Sequence, residues 1–211
     1  MEKAILSQQQ TEEELRNAQR EGRPADFSKK TLSSFSIFNE ILNTSIIFDD
    51  ATIEGQVFLG DVLVGGDLSF KNCLIKGSLY LANIKINGSL ILENAKIKGA
   101  INLVGAQIQK DILGNNLENH GFLSLAKGKV KGSIFLENAK IKNVSYNNFT
   151  VKGDLIMDGS SIGENVDLKE INIDGLLDID EIAVGKDLNL KKAKFKNTEA
   201  KNIDIKGKTI N

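Results

Sequence analysis

The chain has no tryptophan, and only one proline, one cysteine and one histidine among 211 residues. A single cysteine, Cys73, excludes a disulfide within the chain and suits a reducing compartment. A single histidine, His120, excludes a His-rich metal site built from one chain. It also leaves Ser-His-Asp catalysis without a positioned partner. No apolar run approaches the roughly 20 residues that span a bilayer. The opening MEKAILSQQQ lacks the apolar core of a secretory leader. The expectation is a cytoplasmic protein that neither crosses nor binds a membrane. Excess charge is missing too: 27 Lys and Arg face 28 Asp and Glu, a formal net charge of −1. That balance gives no global pull toward nucleic acid or anionic lipid.

Glycine is plentiful, at 19 residues, and it is periodic. Residues 66–109 read as four copies of one eleven-residue unit: GDLSFKNCLIK, GSLYLANIKIN, GSLILENAKIK and GAINLVGAQIQ. The pattern is Gly-x-Leu-x-Leu-x-x-small-x-Ile-x. Apolar positions two apart, then three, then two, describe short strands that turn a corner between them, whereas a helix needs spacings of three and four. Glycine at the first position permits positive φ and close backbone approach at a bend. Asn at the seventh, as in Asn72, Asn83 and Asn94, tolerates the left-handed region and suits a turn or an axial ladder.

About fifteen units follow one register from Ser33, and the unit at Gly132 is one residue short. Adjacent units alternate. The inward eighth position is mostly small in one set (Ala51, Cys73, Ala95, Ala139) and often large in the other (Val62, Ile84, Phe149, Ile171). Two units per coil, about 22 residues, account for this. Ile75 should then stack on Ile97, and Ile97 on Asn119. The reading is an all-β, four-sided parallel β-helix of seven or eight coils, about 35 Å long at the usual strand spacing.

Residues 1–24 form a separate N-terminal region. Met1 to Gln10 read as mobile, with Ala4, Ile5 and Leu6 able to dock. Thr11-Glu12-Glu13-Glu14 has capping-box spacing. It predicts a short helix from Glu12 to Arg20, acidic in its first turn and ended by Gly22 and Pro24. Leu15 and Ala18 share one face, suited to a lid over the first coil. The solenoid occupies residues 25–211. Its register fails after Lys196, where Ile203, Ile205 and Ile210 suggest a last partial coil.

Ala25-Asp26-Phe27-Ser28-Lys29 resembles one pentapeptide repeat, as more loosely do Ala51-Thr52-Ile53-Glu54-Gly55, Cys73-Leu74-Ile75-Lys76-Gly77 and Ala95-Lys96-Ile97-Lys98-Gly99. The resemblance to pentapeptide-repeat proteins spans roughly residues 25–205 and implies a right-handed, four-sided β-helix. The chain departs from that family in the six-residue second side of each unit, as in Ser78-Leu79-Tyr80-Leu81-Ala82-Asn83, and in Lys where Asp or Asn is usual. It is similar to an eleven-residue variant of the repeat.

No catalytic residue, cofactor site, metal site or small-molecule substrate emerges. His120 follows an irregular unit in which Gly114 and Asn119 replace inward Leu and Ile, and a bulge there would make a small polar pocket. Cys73 sits at a small inward position and reads as packing. Charge is segregated: residues 66–152 carry about seven excess Lys, and residues 153–187 about eight excess acids. The reading is a non-enzymatic scaffold or protein-interaction module. The alternatives are a polymer-forming rod resembling bactofilins, a topoisomerase-binding DNA mimic as in some pentapeptide-repeat proteins, or an enzyme with a site near His120. A duplex mimic should be acidic along its length, which the Lys-rich middle contradicts. The outward fourth positions of alternate units point to a surface. Ile91, Leu113, Phe135 and Ile156 form an apolar stripe there, suited to a homodimer or another protein. The alternative is that the N-terminal segment, through Ile5, Leu6 or Leu15, folds over it.

Overall fold

The structure is a computed structural model that describes residues 5–211; the expected docking of Ala4 lies outside these residues. The chain winds as a parallel β-solenoid of about nine turns with about 22 residues per turn and one N-terminal helix. Ile75 pairs in register with Ile53 and Ile97, and Ile97 with Asn119. Side chains of the same type therefore recur directly above one another, and the alternation of adjacent units follows from that.

Each turn has four sides. Strands Ile46–Ile47, Leu68–Ser69 and Leu90–Ile91 stack on the first, and Thr52–Ile53 and Leu74–Ile75 on the second. Val57–Phe58 and Leu79–Tyr80 lie on the third, and Leu63–Val64 and Lys85–Ile86 on the fourth. The second and third sides belong to a 17-stranded sheet, the fourth and first to a 15-stranded one. Inward third, fifth, eighth and tenth positions fill the interior as columns. One fifth-position column begins with Phe27, Phe48 and Phe70, whose rings stack at 5.2 and 5.0 Å. Gly114 interrupts that column, and the expected bulge follows at His120–Gly121, where Asn119, His120, Lys140 and Lys142 line a shallow polar depression at the surface. A Cβ at Gly114 would lie 2.8 Å from Leu136 Cδ2, so the next turn's leucine fills the gap.

The corners divide their work differently from the expectation. Positive φ belongs to the seventh position, with Asn72, Asn83 and Asn94 each at 55°. Their amides also form the axial ladder: Asn72 Nδ2 donates to Asp50 Oδ1 at 3.0 Å and Asn94 Nδ2 to Asn72 Oδ1 at 3.0 Å. The first-position glycines do not have positive φ; close approach requires them. A Cβ at Gly77 would stand 2.4 Å from the Gly55 carbonyl oxygen, and one at Gly88 2.0 Å from Asp67 Oδ1. The second position adds a further ladder. Ser89 N donates to Asp67 Oδ1 at 2.7 Å, Ser133 N to Asp111 Oδ1 at 2.8 Å and Leu176 N to Asp154 Oδ1 at 2.7 Å.

The ends depart most from the sequence reading. The helix spans Gln8–Glu21, not Glu12–Arg20, and its N-cap is Ser7. Ser7-Gln8-Gln9-Gln10 satisfies a capping box one turn earlier: Gln10 N donates to Ser7 Oγ at 3.3 Å and Ser7 N to Gln10 Oε1 at 2.9 Å. The first turn holds no acid. Thr11 is inside the helix, buried, with its hydroxyl bonded to the Gln8 carbonyl. Gly22, at φ 67°, closes the helix as expected. Ile5–Leu6 is a strand paired with Thr31–Leu32. At the other end the register shifts by one residue where expected, since Ile173 pairs with Phe195 but Leu176 with Asn197, and the coil then continues. Asp204–Ile205 pairs with Ala183–Val184, and Thr209–Ile210 with Leu188–Asn189. The array thus has more turns than the seven or eight expected. The corner markers recur in the last turn, with Asn202 at φ 52° and Gly207 in close approach to Lys186, but the one-residue shift displaces them from the eleven-residue rhythm.

Candidate interaction face

The first side carries the apolar stripe. Its strands pair Ser69 with Ile47 and Ile91, Leu113 with Ile91 and Phe135, and Ile156 with Phe135 and Asp178. Ile91, Leu113, Phe135 and Ile156 are thus brought together on four successive turns. Each is half-buried, because stacked side chains shield one another while their outer edges stay open. At about 4.8 Å per turn the band is roughly 15 Å long.

The rim of the stripe is acidic. Asp67, Asp111 and Asp154 flank it at the second position, each holding the amide of the next turn. Glu93, Glu137 and Asp158 flank it at the sixth. Glu93 is paired with Lys71 at 2.8 Å, and Glu137 accepts from Asn115 Nδ2 at 3.0 Å. At the C-terminal end of this side the carboxylates of Asp178, Asp180 and Glu199 lie within 4.8 Å of one another. Asp178 Oδ1 accepts from Asp180 N at 3.0 Å and Asp180 Oδ1 from Lys201 N at 2.6 Å. Backbone donors therefore account for much of this cluster.

Among the described residues the N-terminal segment does not cover the stripe. The helix packs on the strands Ala25–Asp26 and Phe35–Ser36 of the first turn. Leu15 and Ala18 are buried in the core, and Gln8 Nε2 donates to the Ser36 carbonyl at 2.8 Å. The helix is an end lid, and among the described residues Ile5, Leu6 and Leu15 are all committed to that end.

The remaining reactive side chains are dispersed. His120 is exposed beside Lys140 and Lys142, with no carboxylate against it among the described residues. Asn119, beside it in sequence, points inward and is 2 % exposed, and its amide donates to the Gly99 carbonyl at 2.7 Å. Cys73 is fully buried, and burial pushes its thiol up to about 12. Tyr146 had no signal in the repeat beyond its inward position. It is fully buried, burial raises its phenol, and among the described residues its hydroxyl has no hydrogen-bond partner.

No protein-family model, curated protein or solved structure matches the chain. No helix of the described residues is long and apolar enough to cross a membrane.

Proposed function

We propose that this solenoid is a non-enzymatic, cytoplasmic interaction module that docks a protein partner along its first side. The supporting observation is the stripe Ile91–Leu113–Phe135–Ile156, in register on four turns and left open by the rest of the described chain. Scattered apolar residues on a surface need no explanation, whereas a contiguous flat band rimmed by polar groups fits an interface. Repeat folds present such rigid faces by construction. The partner of first choice is a second copy, because a flat face can meet its own image across a two-fold axis. The likeness to pentapeptide-repeat proteins belongs to this reading. Four sides per turn, most with a two-residue strand, suit an eleven-residue variant of that repeat.

The acidic rim favours a second occupant, a different protein with basic residues around an apolar ridge. Salt separates the two. Added salt screens like-charged rims and strengthens a homodimer, but weakens docking of a basic partner. Light scattering on the wild type should give twice the 23.0 kDa chain mass. Phe135→Asp combined with Leu113→Asp should give a folded monomer. A wild type that stays monomeric at high concentration removes the homodimer. A double variant that still dimerises removes the stripe.

A further inference from the structure

The third side, opposite the stripe, carries a groove of about 350 Å³ that the repeat pattern did not reveal. It begins where the short unit disturbs the ladder. Asn119 pairs with Ile141 and Phe122 with Asn143, so the single residue Lys142 stands against His120 and Gly121. Along one column the large Phe122 gives way to Asn143, Asn165 and Asp187. Along the next, two residues further on each strand, run Ser145, Asp167 and Asn189. Phe122, 41 % exposed, walls one end and Ile210, 40 % exposed, the other. The floor is therefore a grid of short polar side chains. Its rows are about 4.8 Å apart and its columns about 6.6 Å apart.

The hydrogen bonding of that floor is selective. Both oxygens of Asp167 are engaged: Oδ1 accepts from Asn189 Nδ2 at 2.9 Å and Lys169 N at 3.2 Å, and Oδ2 from Asn147 Nδ2 at 2.8 Å. Because a carboxylate only accepts, this bond fixes the Asn147 amide and leaves its Oδ1 without a partner. Asn165 Oδ1 accepts from Asp187 N at 3.2 Å, and Asp187 Oδ1 from Lys208 N at 2.8 Å. Among the described residues that leaves the Asn165 amide NH₂, the second Asp187 oxygen and the Ser145 hydroxyl without protein partners. Ser145 is only 7 % exposed. Donors and acceptors are thus interspersed over a few ångströms beside an open aromatic face.

We propose that this groove binds a neutral saccharide. Ring hydroxyls both donate and accept, which suits an amide, a hydroxyl and a carboxylate oxygen side by side. The C–H face of a sugar ring suits Phe122. No lysine or arginine lines the groove, which disfavours phosphate or carboxylate ligands. With both Asp167 oxygens and one Asp187 oxygen engaged by protein donors, a single carboxylate oxygen stands free among the lining residues, too few for a hard cation. The volume lies at the lower end for small-molecule clefts, roughly 300–1,000 Å³, and fits a short saccharide, not an extended one.

Saturation-transfer NMR and calorimetry on the full chain test this. The probes are neutral trisaccharides of glucose, galactose, mannose and N-acetylglucosamine, with trigalacturonate and spermidine as charged comparisons. At least one neutral probe should bind. Phe122→Ala and Asn165→Asp should each weaken that binding by about tenfold or more, with melting unchanged. Asn165→Asp keeps the oxygen that holds Asp187 N, but it turns the free donor into an acceptor and adds a charge beside Asp187, changes that both oppose a neutral hydroxyl-bearing ligand at that point. Tyr80→Ala, on the same side but outside the groove, should leave binding intact. The proposal is overturned if no neutral probe binds at millimolar concentration. It is equally overturned if a charged probe binds in preference, or if binding survives both groove variants.

Discussion

At the scale of single residues, a column of the solenoid fixes what each position tolerates. Cys73 stands between Ala51 and Ala95, all three at most 1 % exposed. Its thiol is held up to about 12, from an ordinary value of 9.0, because burial disfavours the thiolate. The unfolded chain therefore releases this proton first as pH rises. The group has no effect below about pH 9. Above it, stability falls by about 1.4 kcal/mol per pH unit until the folded value is reached. Cys73→Ala should fold, since alanine already occupies the column on both sides, and it should remove that part of the alkaline loss. Denaturant melts of both proteins at pH 8 and pH 10.5 measure the difference. A gap that does not change with pH would show that the thiol is not held protonated. The inward Leu, Ile and Val of each column were legible in the sequence, because their spacing is the repeat itself. The role of Gly77 was half legible: the need for glycine was visible, but the cause, a carbonyl 2.4 Å from where a Cβ would sit, belongs to the neighbouring turn. Tyr146 and the Asn143–Asn165–Asp187 column were not legible. Their significance lies in which groups lack partners, and spacing carries no information about that.

At the scale of elements, the strands could be read and the helix only in part. A two-residue strand is defined by partners 22 residues away, so an eleven-residue rhythm reveals it even where propensity says little. A helix terminus is set locally by competing caps. Ser7 and Thr11 both offer a hydroxyl followed three residues on by a side chain that can reach back. Ser7 prevails because the longer helix lets Thr11 bury on the same side as Leu15 and Ala18 and brings Gln8 to the Ser36 carbonyl. Ser7→Ala should then cost about 1 kcal/mol, the usual worth of an N-cap. Leu15→Asp should cost several kcal/mol, because it would bury an unpaired charge against the first turn. Thermal melts with helix content followed by circular dichroism test both. A negligible effect of Leu15→Asp would mean that the helix is not an integral lid. Its consequence for assembly is direct: with one end covered by a helix whose apolar face is spent on the core, head-to-tail stacking of rods meets a barrier there.

At the scale of the whole molecule, the rod is a one-dimensional array, in which each turn is stabilised by its two neighbours. Charge follows that geometry. Lys76 pairs with Glu54 at 2.7 Å, Lys71 with Glu93 at 2.8 Å and Lys152 with Asp174 at 2.6 Å, in each case one turn apart. These pairs are partly exposed and screened by solvent, so they tune stability and do not create it. Part of the segregated charge is thereby structural, as are Asp67, Asp111 and Asp154, which hold the amides of the following turn. Apolar burial is uneven along the axis. The first turns hold Phe27, Phe35, Phe48 and Phe70 at 1 % exposure or less under the helix. The strand Lys194–Glu199 is exposed at every residue, and Phe195 is 37 % exposed. With nearest-neighbour coupling, opening should start where a turn has one neighbour and little apolar contact. Hydrogen exchange should therefore be fastest at amides of 194–211 and slowest at central strands such as Leu79–Tyr80 and Leu90–Ile91. The amides of Ala25–Asp26 should be protected by the helix despite lying on a terminal turn. Peptide-resolved exchange at neutral pH ranks these segments directly. Equal protection from Phe27 to Ile205 would mean that coupling between turns exceeds the differences among them, so that the array opens as one unit.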